Sequence, residues 1–365
     1  MNVKSSTTRR FETLDLLRGL AALAILTLHY SWPAGKPPLG HAYLAVDFFF
    51  VLSGFVVTDA YHQWLEDGAS MWGFLRVRLI RLYPLYAVGN LLAAALTLVT
   101  LIHHGAGPID LGRWLATVAT ASFLLPTPAS WSTDSQIFFP LNLVAWSLFW
   151  EIAVNALYAA LARNLRPWLL ATLLATGAVA MIAGSLIYGY GSGWLWQGAA
   201  FGGARALFGF FAGVAIWKAR SILHAPALPS WLLVVFFVAV LIPRRISGGS
   251  VYDVVVAMVA FPLLVWLGST ASIGPRLGRT GFFLGFVSYP LYIVHLPLLF
   301  IVYRFDHAVF GNLPNLPIMI GVPLYAFGLN AIAAVLAYGW DEPARRLLTF
   351  RFALERPNRL AQAAP

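Results

Sequence analysis

The sequence contains no cysteine, and charged residues make up only 10% of its 365 positions. The absence of cysteine excludes disulfide bonds, thiolate metal sites and a cysteine nucleophile. Soluble domains carry about 25% charged residues, so the low charge content argues against a soluble globular protein. Acidic residues are especially scarce, 14 against 24 lysines and arginines, which leaves a formal net charge of +10.

Apolar and aromatic side chains dominate instead. Hydrophobic residues make up 60% of the chain, and the mean hydropathy is +0.76. The 14 tryptophans and 14 tyrosines suit belts at membrane interfaces. The composition predicts an all-α polytopic membrane protein, a helical bundle of about ten transmembrane helices. The predicted spans are 14–31, 42–62, 79–101, 140–162, 167–188, 197–217, 230–243, 251–268, 281–303 and 317–340.

The basic residues predict the orientation of these spans. Ten spans with a cytoplasmic N-terminus leave most lysines and arginines on the cytoplasmic side, as the positive-inside rule requires. We therefore predict a bacterial-type inner membrane protein with both termini in the cytoplasm: an N-terminal segment at 1–13, a transmembrane domain at 14–340 and a basic tail at 341–365. The predicted outer loops hold only Lys36, Arg113, Arg244, Arg245 and Arg304.

The longest predicted outer loop, 102–139, is rich in proline, serine and threonine and is a candidate cover for a substrate site. Its stretch 111–125 is too short and too polar to be predicted as a span. We expect this stretch to lie on the outer surface or to re-enter the membrane.

Arg18 and His29 are ionisable residues in the first predicted span. Eleven helical steps complete about three turns, so the two side chains share one face, roughly 16 Å apart along the axis. Ionisable groups inside a membrane helix are costly and often functional. Arg18 is a candidate anion ligand, or an arginine that reaches lipid phosphates, and Asp15 can pair with it. His29 is a candidate general base, or a structural histidine.

Arg76, Arg78 and Arg81 mark the start of the third span. Arg78 and Arg81 lie on adjacent turns of one helix face, and a planar guanidinium can bind phosphate oxygens with two hydrogen bonds. The segment predicts a phosphate-binding cluster, with anchoring at the cytoplasmic surface as the alternative.

Asp47 stands at the start of the second span, near the expected outer end of the first helix. Its carboxylate is a candidate to orient His29, as carboxylates do in catalytic dyads, or it only favours the helix N-terminus. The small residues Ser53 and Gly54 that follow predict close helix packing.

Glu151 lies inside the fourth span, where a carboxylate needs a partner or a proton. It is a candidate to bind an acceptor hydroxyl or to pair with an arginine, and Arg205 of the sixth span is one possible partner. His295, in the ninth span, is more often structural when considered alone. His29, His295 and Asp47 lack the spacing of a metal site, so no metal is predicted.

Several segments together resemble the integral-membrane acyltransferase-3 family. The resemblance implies a ten-helix core that takes an acyl group, commonly acetyl, from cytoplasmic coenzyme A and gives it to hydroxyls of extracytoplasmic carbohydrates. The family's arginine–histidine motif corresponds to Arg18 and His29, and its paired arginines correspond to Arg78 and Arg81. The matching segments, in family order, are LDLLRGLAAL, AVDFFFVLSGF, RLIRLYPLY, WSLFWE, SYPLYIVHLP and WDEPARR.

We therefore predict an O-acyltransferase that uses acyl-CoA as a co-substrate and acts on a glycan or lipid-linked sugar, with no tightly bound cofactor. Membrane lipids are expected partners and nucleic acid is not. A transporter using the buried charges, or a scaffold that binds a lipid or nucleotide, is the alternative. The predicted catalytic residues are His29, Asp47 and Glu151, and the predicted donor-binding residues are Arg18, Arg76, Arg78 and Arg81.

Overall fold

The computed structural model describes residues 10–31, 37–243, 250–305 and 318–352. Within these ranges the regular structure is helical, with isolated β-bridges between loops. The helices are α1 Glu12–Ser31, α2 Ala45–Glu66, α3 Met71–His103, α4 Pro108–Ser122, α5 Ala145–Leu161, α6 Pro167–Tyr188, α7 Ala199–Ala219, α8 Ser230–Leu241, α9 Ser250–Val255, α10 Phe261–Gly268, α11 Pro275–Phe305, α12 Ile318–Leu336 and α13 Glu342–Arg351.

The prediction of an all-α membrane bundle is confirmed. In the described ranges, nine helical segments are long and apolar enough to cross a bilayer. The predicted span 230–243 corresponds to α8, whose 12 residues fall short of the roughly 20 that a bilayer needs. A π-helical turn at Val256–Ala260 joins α9 to α10. A second one at Ala337–Asp341 carries α12 into α13, so the last helix continues beyond the predicted end at 340.

Some predicted features fall outside the described residues. Most of the N-terminal segment 1–13 and the end of the tail 341–365 lie there, as do the outer basic residues Lys36, Arg244 and Arg245.

Two close helix pairs form the centre of the bundle, α1 with α11 and α2 with α7. A side chain at Gly19 would overlap Leu284 of α11, and one at Gly54 would overlap the backbone of Phe210 in α7. Small residues let helix backbones approach closely inside a membrane. The packing role predicted for Gly54 is therefore confirmed, and these contacts hold the ionisable residues of α1, α2, α7 and α11 in one central region.

The segment 111–125 lies within α4, which packs along α3. The hydroxyl of Tyr86 donates to the carbonyl of Ala121 (2.6 Å), and the indole N–H of Trp114 donates to Thr97 (3.0 Å). Tyr86 is 17 residues before the end of α3, about 26 Å at 1.5 Å per residue. The α4 helix therefore turns back along α3, and its place on the outer surface or inside the membrane stays a prediction.

Candidate active site

His29, in the last turn of α1, lines the larger of two cavities, which we call the outer cavity. Its volume is about 490 Å³, and its walls come from α1, α2, α5, α7, α11 and the loop between α6 and α7. Aromatic rings make up much of this wall, as is common in ligand pockets. These rings belong to Tyr43, Trp146, Tyr188, Trp194 and Tyr292.

The imidazole of His29 faces the imidazole of His295. Nδ1 of His29 lies 2.8 Å from Nε2 of His295, and the ring centroids are 4.9 Å apart. On its other side, Nδ1 of His295 lies 2.8 Å from the carbonyl oxygen of Tyr292 and 3.2 Å from that of Leu291. The close packing of α1 on α11 thus pairs His29, which is partly buried at the wall of the outer cavity, with the buried His295 behind it.

Asp47 pairs with Arg205 rather than orienting His29 as we expected. Arg205 Nη2 lies 2.7 Å from Asp47 Oδ2 and Nε lies 2.9 Å from Oδ1, a bidentate contact. The hydroxyl of Tyr190, in the loop after α6, donates to Asp47 Oδ1 (3.2 Å). Burial, reinforced by the Asp47 charge, raises the pKa of Tyr190 well above its usual range, so this hydroxyl stays protonated. The correction follows from α2 packing on α7, which brings Asp47 against Arg205.

A second cavity, which we call the inner cavity, lies on the other side of Tyr292 and has a volume of about 180 Å³. Arg18, Arg78 and Arg81 all line it, so the structure brings together three of the four predicted donor-binding arginines. Arg76 is exposed on α3, outside this lining. The predicted pairing of Arg18 with Asp15 is confirmed at 3.0 Å.

Glu151 also lines the inner cavity, where its partner is Arg78 and not Arg205. Arg78 Nη2 lies 3.4 Å from Glu151 Oε1. The same oxygen accepts hydrogen bonds from Asn155 (2.8 Å) and from the hydroxyl of Ser53. Ser53 therefore supports Glu151 in addition to being small. The structure places Glu151 beside the arginines and away from the wall of the outer cavity that holds His29.

Two guanidinium groups of the inner cavity retain unused hydrogen-bonding capacity. The Nε atoms of Arg18 and Arg78 are buried without a hydrogen-bond partner among the described residues. Buried donors in native proteins are nearly always satisfied by protein, water or ligand. Both guanidinium groups therefore keep hydrogen-bonding capacity beyond their described contacts.

The two cavities meet at α2 and α11. Val46 and Tyr292 line both of them. At this junction the hydroxyls of Tyr292 and Ser147 are hydrogen-bonded at 2.7 Å. Val46 and Tyr292 therefore stand between the arginines and His29.

The comparisons with known proteins identify the family. The model of the acyltransferase domain of the acyltransferase-3 family matches residues 11–338. This chain belongs to the acyltransferase-3 family. The acyltransferase is also 41% identical over 165 residues to "Protein 2 in picA locus" of Rhizobium radiobacter, covering 43% of this chain and 85% of that protein. No solved structure matches this chain.

Two partnerships in this acyltransferase are not evident from its sequence, His29 with His295 and Asp47 with Arg205. His295 was expected to be structural, and Arg205 was considered only as a partner of Glu151. The available signal was weak in both cases: an ionisable residue in an apolar span indicates that a partner exists, but a single sequence does not identify it.

Proposed function

We propose that this membrane acyltransferase moves an acyl group, in the simplest case acetyl, from cytoplasmic acyl-CoA to a hydroxyl of an extracytoplasmic carbohydrate. The observation that carries the proposal is the contact between two chemically different cavities. Three arginines line the inner cavity, and His29, whose imidazole contacts His295, lines the outer one.

The inner cavity suits the phosphate end of an acyl-CoA. Guanidinium groups bind phosphate oxygens in charge-assisted hydrogen bonds, and Arg18, Arg78 and Arg81 supply three of them to this cavity. In this proposal Glu151 positions Arg78 while no donor is bound, since it contacts that guanidinium. Arg18 and His29 lie on one helix face roughly 16 Å apart, a length that an extended pantetheine arm can cover.

The outer cavity suits a sugar. Its volume is about 490 Å³, and aromatic rings line it together with the guanidinium of Arg205. Flat aromatic faces pack on the apolar face of a sugar ring, while a few polar groups fix the orientation of the ligand. The acceptor in this proposal is a glycan or a lipid-linked sugar.

The proposed reaction is a single displacement. His29 takes the proton from the acceptor hydroxyl, and the resulting oxygen attacks the thioester carbonyl carbon. The carbon–sulfur bond breaks, and the coenzyme A thiolate takes the proton from His29 to leave as a thiol. We further propose that both termini lie in the cytoplasm of a bacterial inner membrane, which puts the arginines on the side where acyl-CoA is made.

Acetyl transfer by the protein purified in detergent tests this proposal. Radiolabelled acetyl-CoA is offered with a panel of oligosaccharides and lipid-linked sugars, and labelled product is measured. We expect product from the wild type and from the control His224→Ala, whose histidine is exposed, but little from His29→Ala. Solute flux in proteoliposomes without acetyl-CoA consumption would favour the transport alternative instead.

A further inference from the structure

The contacts of His295 determine which of its nitrogens carries the proton. Its Nδ1 faces the carbonyl oxygens of Tyr292 (2.8 Å) and Leu291 (3.2 Å), which can only accept hydrogen bonds. A lone pair on Nδ1 would be repelled by both oxygens, so the proton lies there. A doubly protonated ring would place a charge on a side chain that is 1% exposed and whose described contacts include no carboxylate. His295 is therefore neutral, with its lone pair on Nε2.

This tautomer dictates the tautomer of His29. The 2.8 Å contact between His295 Nε2 and His29 Nδ1 needs one proton, and His295 Nε2 does not carry it. His29 must therefore donate from Nδ1, which leaves the lone pair of the neutral His29 ring on Nε2.

We propose that His295 is the positioning residue for the base of the acyl transfer: it holds His29 in the tautomer whose basic nitrogen is Nε2. The inference rests on the proposed function, in which His29 takes the acceptor proton. His295 accepts the Nδ1–H of His29, as a carboxylate does in many catalytic dyads, without bringing a negative charge into the membrane. Asp47, the carboxylate that the sequence offered for this role, is paired with Arg205 instead.

The packing around the pair supports a positioning role. Its short contact to His29 crosses from α11 to α1, and the hydroxyl of Tyr325 on α12 donates to the backbone carbonyl of His295 (3.1 Å). Tyr292, one turn earlier on α11, forms the junction of the cavities. The residue that contacts the base and the residue that lines both cavities thus lie on adjacent turns of one helix.

Two amide variants separate positioning from structure. In His295→Gln the longer side chain brings a carbonyl oxygen close to where Nε2 stood, so it can still accept from His29. In His295→Asn the shorter amide reaches the carbonyls of Tyr292 and Leu291 but not His29. We expect His295→Gln to retain most of kcat. We expect His295→Asn to lose kcat roughly 10–100-fold, as for removal of other orienting partners, with KM for acetyl-CoA and the unfolding temperature little changed.

A spectroscopic measurement reads the tautomer without turnover. In protein labelled with ¹⁵N-histidine, we expect both rings of the pair to show a protonated Nδ1 and an unprotonated Nε2, with His29 assigned by the signals lost in His29→Gln. An Nε2–H tautomer at His29, or equal kcat in the Asn and Gln variants, would overturn the inference. Because the wild-type transfer assay is independent of both readouts, failure of this inference is distinguishable from failure of the proposed function.

Discussion

Asp47 on α2 and Arg205 on α7 form a bidentate ion pair whose side chains are 3% and 2% exposed. The Arg205 guanidinium also stacks near the rings of Tyr190 (4.8 Å) and Trp146 (5.3 Å). A buried pair that is this well satisfied holds two helices together. If one partner is removed, the other charge remains buried and unpaired.

Asp47→Asn should therefore destabilise the protein, by about 3–5 kcal/mol as for other broken buried pairs. The measurement is the free energy of unfolding in mixed detergent micelles. The control is Asp67→Asn, an exposed aspartate at the end of the same helix, which should change little. The double variant Asp47→Leu/Arg205→Met should recover part of the loss, because it leaves no charge behind. A stable Asp47→Asn protein with no turnover would instead return Asp47 to the chemistry.

Arg78→Ala should weaken acyl-CoA binding by roughly 1–3 kcal/mol, the value of a charge-assisted hydrogen bond. Arg81→Lys should bind acyl-CoA less tightly than the wild type, because an ammonium cannot form two parallel hydrogen bonds to phosphate. Calorimetric titration with coenzyme A measures both changes. The structure offers a matched control in Arg76→Ala, since Arg76 is exposed outside the inner cavity. Equal affinities in all these variants would leave the arginines as membrane anchors.

His29→Ala and Arg18→Ala should have complementary effects. Loss of a general base costs typically 10²–10⁴-fold in rate, so His29→Ala should lose most acyl transfer while it still binds acyl-CoA. Arg18→Ala should lose donor affinity, since Arg18 lines the other cavity. Donor binding and acetyl transfer are measured on the same purified variants. Normal transfer by folded His29→Ala protein would rule out the proposed base.

Val46→Phe should block the junction between the cavities. Val46 lines both of them, and a phenyl ring there fills the space that the acyl arm must cross, at an overpacking cost of about 1–3 kcal/mol. We expect coenzyme A to bind and acetyl transfer to fall, whereas Val46→Ala should keep both. Turnover at the wild-type rate by Val46→Phe would show that the acyl group takes another path.

Cysteine labelling tests the orientation, and the chain has no cysteine of its own to remove. Ser135 and Ser221 are both exposed and lie on opposite predicted sides. In intact cells an impermeant maleimide should label Ser135→Cys and should reach Ser221→Cys only after the membrane is opened. The reverse pattern would invert the proposed topology.

The sequence by itself determined the class of this protein and the chemistry available to it. Apolar runs near bilayer length dictate helices, since a backbone in lipid must satisfy its own hydrogen bonds. The spacing of Arg18 and His29 in one helix, and of Arg78 and Arg81 in another, is local geometry that follows from 3.6 residues per turn. The grouping of arginines near one end of the bundle was predictable as well, because the positive-inside rule places the ends of both helices on the cytoplasmic side.

Only the tertiary structure decided which charges meet. The order of the predicted spans puts Asp47 and His29 at the same end of the bundle. The packing of α2 on α7 nevertheless pairs Asp47 with Arg205. Likewise Glu151 contacts Arg78 of α3, and His29 contacts His295 of α11, which lies 266 residues further along the sequence. An ionisable side chain is costly to bury in a membrane, so each of these residues is expected to have a partner. The choice among partners depends on helix rotation and close approach, which are set by packing contacts between distant segments and are not encoded in any one of them.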